Sequence, residues 1–136
     1  MIDKEIIKIA SNTENHGMLD NHTHSSKLKN SICGDEMRVY LIIKDSKIMN
    51  FKYECESCIY CQASVSLLSR IVRNKSIEKV KAFAEEVKNC FEKNVKSFGR
   101  EWKEFDKIMT KNNISRKECL LLPINTTIDA LNKKSL

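Results

Sequence analysis

The chain of 136 residues carries 24 basic against 18 acidic side chains, for a formal net charge of +6, with one proline and six cysteines. That length suits a single domain spanning residues 1–136, and the negative mean hydropathy argues against an integral membrane protein. Lys and Glu alternate through the second half, so the positive charge reads as a solvated surface and not as a nucleic-acid footprint.

Asp3 is placed to cap a short helix through Glu5, Ile6, Ile7 and Ile9, predicted to end near Asn12. Acidic residues interrupt this apolar pattern, which therefore does not read as a signal peptide, and the chain is expected to be cytoplasmic. In that compartment six cysteines point to metal or sulfur chemistry more than to a disulfide framework. Asn15–Ser26 is polar and turn-rich and is predicted to be a loop. His22 and His24 within it are read first as solvated side chains and only second as ligands.

Cys33-Gly34-Asp35 sets a thiol and a carboxylate on either side of the residue that best tolerates unusual backbone angles. It reads equally as two ligands on one turn or as a Gly-Asp turn with an incidental cysteine. Two strands follow, Met37–Lys44 and Lys47–Cys55, with Asp45-Ser46 as the tight turn between them. Antiparallel strands of similar length begin and end at one edge, so Cys33-Gly34-Asp35 at the entrance and Cys55 and Cys58 at the exit are predicted to be neighbours.

Cys55, Cys58 and Cys61 form a C-x-x-C-x-x-C run that enters a helical stretch containing Ala63, Val65, Leu67, Leu68, Ile71 and Val72. The spacing serves zinc sites, clusters and redox pairs alike. A thiol just before a helix faces unpaired N–H groups and the positive end of the helix dipole, a setting that favours thiolate. Ser64, Ser66 and Ser69 are small enough for close packing against the sheet. Ser76 caps a further helix whose stripe runs Ile77, Val80, Ala84, Val87, Phe91, Val95, Phe98, Trp102, Phe105 and Met109, broken near Gly99. Cys90 lies inside it and reads as structural. Pro123 belongs in a first helical turn, which puts Cys119 at or just before a helix N-terminus.

Taken in order, Asn15-His16-Gly17, Cys33-Gly34-Asp35, Cys58 five residues before Ala63-Ser64-Val65-Ser66, and Arg116-Lys117-Glu118-Cys119 running to Leu122-Pro123 resemble the U-type iron-sulfur cluster assembly family. That family comprises IscU, SufU and the N-terminal domain of NifU. The resemblance implies an α+β fold, a small antiparallel β-sheet with helices packed on one face and the thiols gathered at one end. It implies that Cys33, Asp35, Cys58 and Cys119 bind the metal or cofactor. The SufU branch looks closest, because residues of about 76–112 lengthen the interval before the third thiol, and because Glu118 stands where IscU-like members place a histidine.

On that resemblance the expected cofactor is zinc, and the expected activity is the uptake of persulfide sulfur from a SufS- or IscS-like cysteine desulfurase, with Cys119 as acceptor. Such a chain would be a zinc-dependent sulfurtransferase partner of the desulfurase. The alternatives are a non-enzymatic scaffold that assembles a transient [2Fe-2S] cluster for apoprotein acceptors, and a structural zinc module that binds a partner through the Phe91–Phe105 stripe. No nucleic-acid or membrane partner is expected, and the stand-alone form of the domain is. Cys55 and Cys61 are extra thiols that the family pattern does not require.

Overall fold

The computed structural model describes residues 3–31, 34–93 and 98–133. It opens with helix α1, Lys4–Ala10, where the Asp3 carboxylate accepts a hydrogen bond from the Glu5 N–H at 2.9 Å. The helix stops two residues short of Asn12, because Ser11 turns its hydroxyl back onto the Lys8 carbonyl.

Three antiparallel strands follow in the order β1 (His24–Lys29), β2 (Glu36–Lys44) and β3 (Lys47–Glu56). The two predicted strands are present, joined by a two-residue turn in which Asp45 and Ser46 have φ of +54° and +61°. Such a doubly left-handed turn matches the twist of a hairpin. Strand β1 corrects the sequence reading, which left His24–Ser26 in a loop. Its inward positions, His24, Ser26 and Leu28, pair with Leu41, Val39 and Met37 of β2. Two of the three are polar, so no apolar alternation marks the strand. Ser26 is buried there because its hydroxyl donates to Asp129 of the last helix.

Met37, Val39 and Leu41 of β2 with Phe51 and Tyr53 of β3 form the sheet's buried inner face. Helix α2, Ile59–Ile71, packs beneath β3, and helix α4, Lys117–Leu131, packs beneath β1 and β2; the two also pack on each other. The α2 serines serve these helix contacts as well as small size. Ser64 donates to the Leu120 carbonyl of α4 at 2.7 Å, and Ser66 to the Asn12 carbonyl behind α1 at 2.7 Å.

Helix α3, Ile77–Lys93, buries Val80, Phe83, Ala84, Val87 and Cys90. The predicted stripe passed over Phe83, which is the hub: Trp102 stacks on it at 4.0 Å, with Phe105 at 4.8 Å and Phe98 at 5.5 Å. Trp102 and Phe105 come from a 3-10 helix over Arg100–Lys107, followed by another over Lys111–Arg116 that leads into α4. Among the described residues no helix is long and apolar enough to cross a membrane.

Candidate metal and sulfur site

The β2–β3 register pairs Glu36 with Glu56 and Met37 with Cys55. Asp35, one residue before this edge, and Cys58, two residues after it, therefore meet. The Cys58 N–H donates to Asp35 Oδ1 at 3.1 Å. Cys58 is the N-cap of α2, at φ −70° and ψ 166°, which directs the chain from sheet into helix.

Cys119 arrives from the other side, on α4. Here the sequence reading needs correction. Pro123 is the seventh residue of α4 and not in its first turn, and Cys119 is the third. The proline lacks the N–H that would have bonded the Cys119 carbonyl, so the helix runs through it at the loss of one backbone hydrogen bond. Cys119 still lies in the first turn, so the positive ends of two helix dipoles converge where Cys58 and Cys119 meet.

The donor atoms of Asp35, Cys58 and Cys119 lie within 4.8 Å of one another. Asp35 and Cys119 are buried, and Cys58 is half-buried. Cys33 is outside the described residues. Among those described, Asp35 Oδ2 is buried without a hydrogen-bond partner. An orphaned buried carboxylate oxygen costs at least about 1–3 kcal/mol, a penalty that a cation beside two thiols would offset. Two sulfurs and one oxygen are a donor set that suits zinc or iron.

The remaining thiols differ from these. Cys61 is fully buried, and burial pushes its thiol far up from the ordinary range, with nearby Cys55, Asp35 and Cys58 adding to the shift against the help of Ser57. Cys90 is buried in the helical core and pushed up to about 11 by burial. Cys55 is half-buried, raised chiefly by burial, and lines a cleft of about 310 Å³ with His16, Lys27, Glu36, Arg38, Glu54 and Glu56. His22 is held by the Leu19 carbonyl at 2.6 Å and His24 by the Thr23 hydroxyl at 2.8 Å. Neither belongs to a potential ligand cluster among the described residues.

Asn15-His16-Gly17 stands beside Cys55, whose cleft His16 lines, and supplies no member of the Asp35, Cys58 and Cys119 group. The Tyr53 N–H donates to the Asn15 carbonyl and the Gly17 N–H to the Tyr53 carbonyl, so the segment lies along β3. The Asn15 side chain then ties it to Ser69 and Arg73 at the end of α2. Two groups at the site carried no assignment from sequence. Arg116 lies 5.3 Å from the Tyr60 ring centroid, joining the first turns of α4 and α2, and Asn30 reaches Cys119. Arg116 already stood at the head of the motif that ends at Cys119, and only closeness in sequence to Cys33-Gly34-Asp35 could have marked Asn30.

The NifU-like N terminal domain family matches residues 1–109 of the chain. The chain belongs to that family. A relative from Thermotoga maritima, the iron-sulfur cluster assembly scaffold protein IscU, is 30% identical, with 99% of this chain and 95% of that protein covered. Among solved structures, the N-terminal part of a nitrogen-fixing NifU-like protein from Brucella abortus superimposes with a TM-score of 0.88 at 22% identity, covering 95% of this chain and 90% of that one. A structure from Fervidobacterium islandicum, described as an iron-sulfur cluster assembly scaffold for the SUF system, gives 0.85 at 25% identity, with 96% of both chains covered. The U-type resemblance drawn from the motifs and the antiparallel α+β fold both agree with these matches.

Proposed function

We propose that this chain is an iron-sulfur cluster assembly protein of the IscU/SufU type that takes sulfur from a cysteine desulfurase at Cys119, with zinc held by Cys33, Asp35, Cys58 and Cys119. The observation that carries the reading is the meeting of Asp35, Cys58 and Cys119 within 4.8 Å, with one carboxylate oxygen left unpartnered. Bound zinc would supply positive charge that keeps the thiols deprotonated and compensates the buried carboxylate.

The transfer itself is thiol exchange. The Cys119 thiolate attacks the outer sulfur of the desulfurase's cysteine persulfide, the sulfur-sulfur bond breaks, and the desulfurase cysteine leaves as thiolate. Cys119 then carries the persulfide, and no external oxidant or reductant is consumed. Glu118, in place of a histidine, leaves Asp35 as the non-sulfur donor and favours the SufU-like reading. The reaction would take place in the cytoplasm, with apoproteins as the final recipients.

The test is desulfurase turnover with and without this protein, alongside metal analysis of wild type and Cys119→Ser. Stimulation by wild type, lost in Cys119→Ser with zinc retained, supports transfer at Cys119; no stimulation by wild type refutes it. The second reading, a scaffold that assembles a [2Fe-2S] cluster on the same residues and hands it on, is favoured by the scaffold descriptions of the Thermotoga and Fervidobacterium relatives. It requires visible cluster absorption after anaerobic reconstitution and activation of an apoprotein.

A further inference from the structure

Asn30 is buried and stands just before the loop that supplies Asp35. Its backbone closes that loop at both ends: the Asn30 N–H donates to the Asp35 carbonyl at 2.7 Å, and the Gly34 N–H donates to the Asn30 carbonyl at 2.7 Å. Gly34 adopts φ +73°, which lets the chain reverse so tightly. The Asn30 side chain points the other way, with Nδ2 3.9 Å from Cys119 Sγ on α4. One residue thus bonds both to the loop that supplies Asp35 and to the sulfur that comes from the opposite helix, 89 positions later in the chain.

We propose that Asn30 is a positioning residue of the metal and sulfur site, holding the Asp35 loop in register with Cys119 through an amide N–H···S hydrogen bond. The inference rests on the proposed metal-site reading and deepens it. The backbone bonds set the loop's shape whatever side chain stands at 30, so the amide is the separable part. An N–H donor withdraws electron density from a thiolate sulfur and fixes its direction, the role that partners of ligating groups play in metal sites. Asn30→Asp keeps the side chain's shape but replaces the donor by an acceptor that repels the sulfur. Asn30→Ala removes it, and Asn30→Gln retains an amide donor on a longer stem.

The experiment loads wild type and the three variants with cobalt(II), records the thiolate-to-cobalt charge-transfer bands, and measures metal release to a chelator. Thermal melts of the metal-free proteins confirm folding. Asn30→Asp and Asn30→Ala should release cobalt about 10- to 100-fold faster than wild type, with shifted charge-transfer bands, and Asn30→Gln should recover part of the difference. A merely structural role would leave the bands of folded, loaded variants unmoved. Unchanged bands and release rates in Asn30→Asp and Asn30→Ala overturn the inference alone, as does a Gln variant no better than Ala. Wild type that takes up no cobalt overturns the metal-site reading and this inference with it.

Discussion

Asp35→Asn separates the folding cost of the site from its purpose. The substitution keeps the size of the side chain and an oxygen to accept the Cys58 N–H, now 3.1 Å from Oδ1. It removes a charge from a residue that is 5% exposed and whose Oδ2 has no hydrogen-bond partner among the described residues. Without metal, the wild type bears an uncompensated buried carboxylate; the amide leaves its Nδ2 in the same unpartnered place but carries no charge, so the variant should be at least as stable as wild type, with a gain of up to about 1–3 kcal/mol. For a chain of this size that is a rise in Tm of roughly 4 °C per kcal/mol, interpolated between smaller and larger domains.

With zinc the order should reverse. A metal at a hundredfold excess over its Kd stabilises by about 2.7 kcal/mol. A neutral amide is a poorer donor, and each tenfold loss of affinity removes about 1.4 kcal/mol of that gain. The assay is thermal unfolding of both proteins in chelator and in graded zinc. A metal-free variant less stable than wild type, together with an equal zinc-induced shift in both proteins, would refute the claim that Asp35 is held in place for a cation.

Thiol labelling of the folded, metal-free protein by a small alkylating reagent near pH 8, read by mass spectrometry, should modify Cys58 well before Cys61 or Cys90; rapid labelling of Cys61 would contradict its burial and raised thiol. Phe83→Ala opens the ring cluster with Trp102, Phe98 and Phe105 and should cost about 3–5 kcal/mol in denaturant unfolding, against under about 0.5 for an exposed position such as Lys81→Ala. The Tyr53 hydroxyl is pushed from an ordinary value near 10 up to about 12, first by burial, with Cys55 adding and Arg70 opposing. The unfolded chain therefore loses this proton first, and the stabilisation present below about pH 10 is lost as pH rises towards 12; Tyr53→Phe should flatten that part of the decline in chemical denaturation.

The hairpin was readable because its inner face alternates Met37, Val39, Leu41 against Phe51 and Tyr53, and because a two-residue connection leaves little choice of register. Once that register is set, the approach of Asp35 to Cys58 follows from geometry alone. Strand β1 was not readable, since what buries Ser26 is Asp129, a partner 103 residues away. Local pattern carries no trace of such a pair. The start of α4 was misjudged for a related reason: proline excludes an N–H donor only at its own position, and the residues ahead of Pro123 are free to extend the helix when packing rewards it. Asn30 could not be singled out before its side chain was seen to cross to α4.

The family match ends at residue 109, yet Cys119 lies beyond it, on α4. What aims Cys119 at Asp35 and Cys58 is the helix's own burial: Leu120, Ile124 and Ala130 are sealed in the core, Thr126 and Thr127 turn their hydroxyls onto carbonyls one turn back, and the Leu120 carbonyl accepts from Ser64 of α2. Successive helix residues are rotated by about 100°, so shifting α4 by one residue would bury a different face and carry Cys119 away from the other two donors. The same apolar contacts that close the core therefore set the third donor of the candidate site. Loosening α4 should disperse that donor set before it unfolds the sheet, because β2 and β3 keep Asp35 and Cys58 together without it.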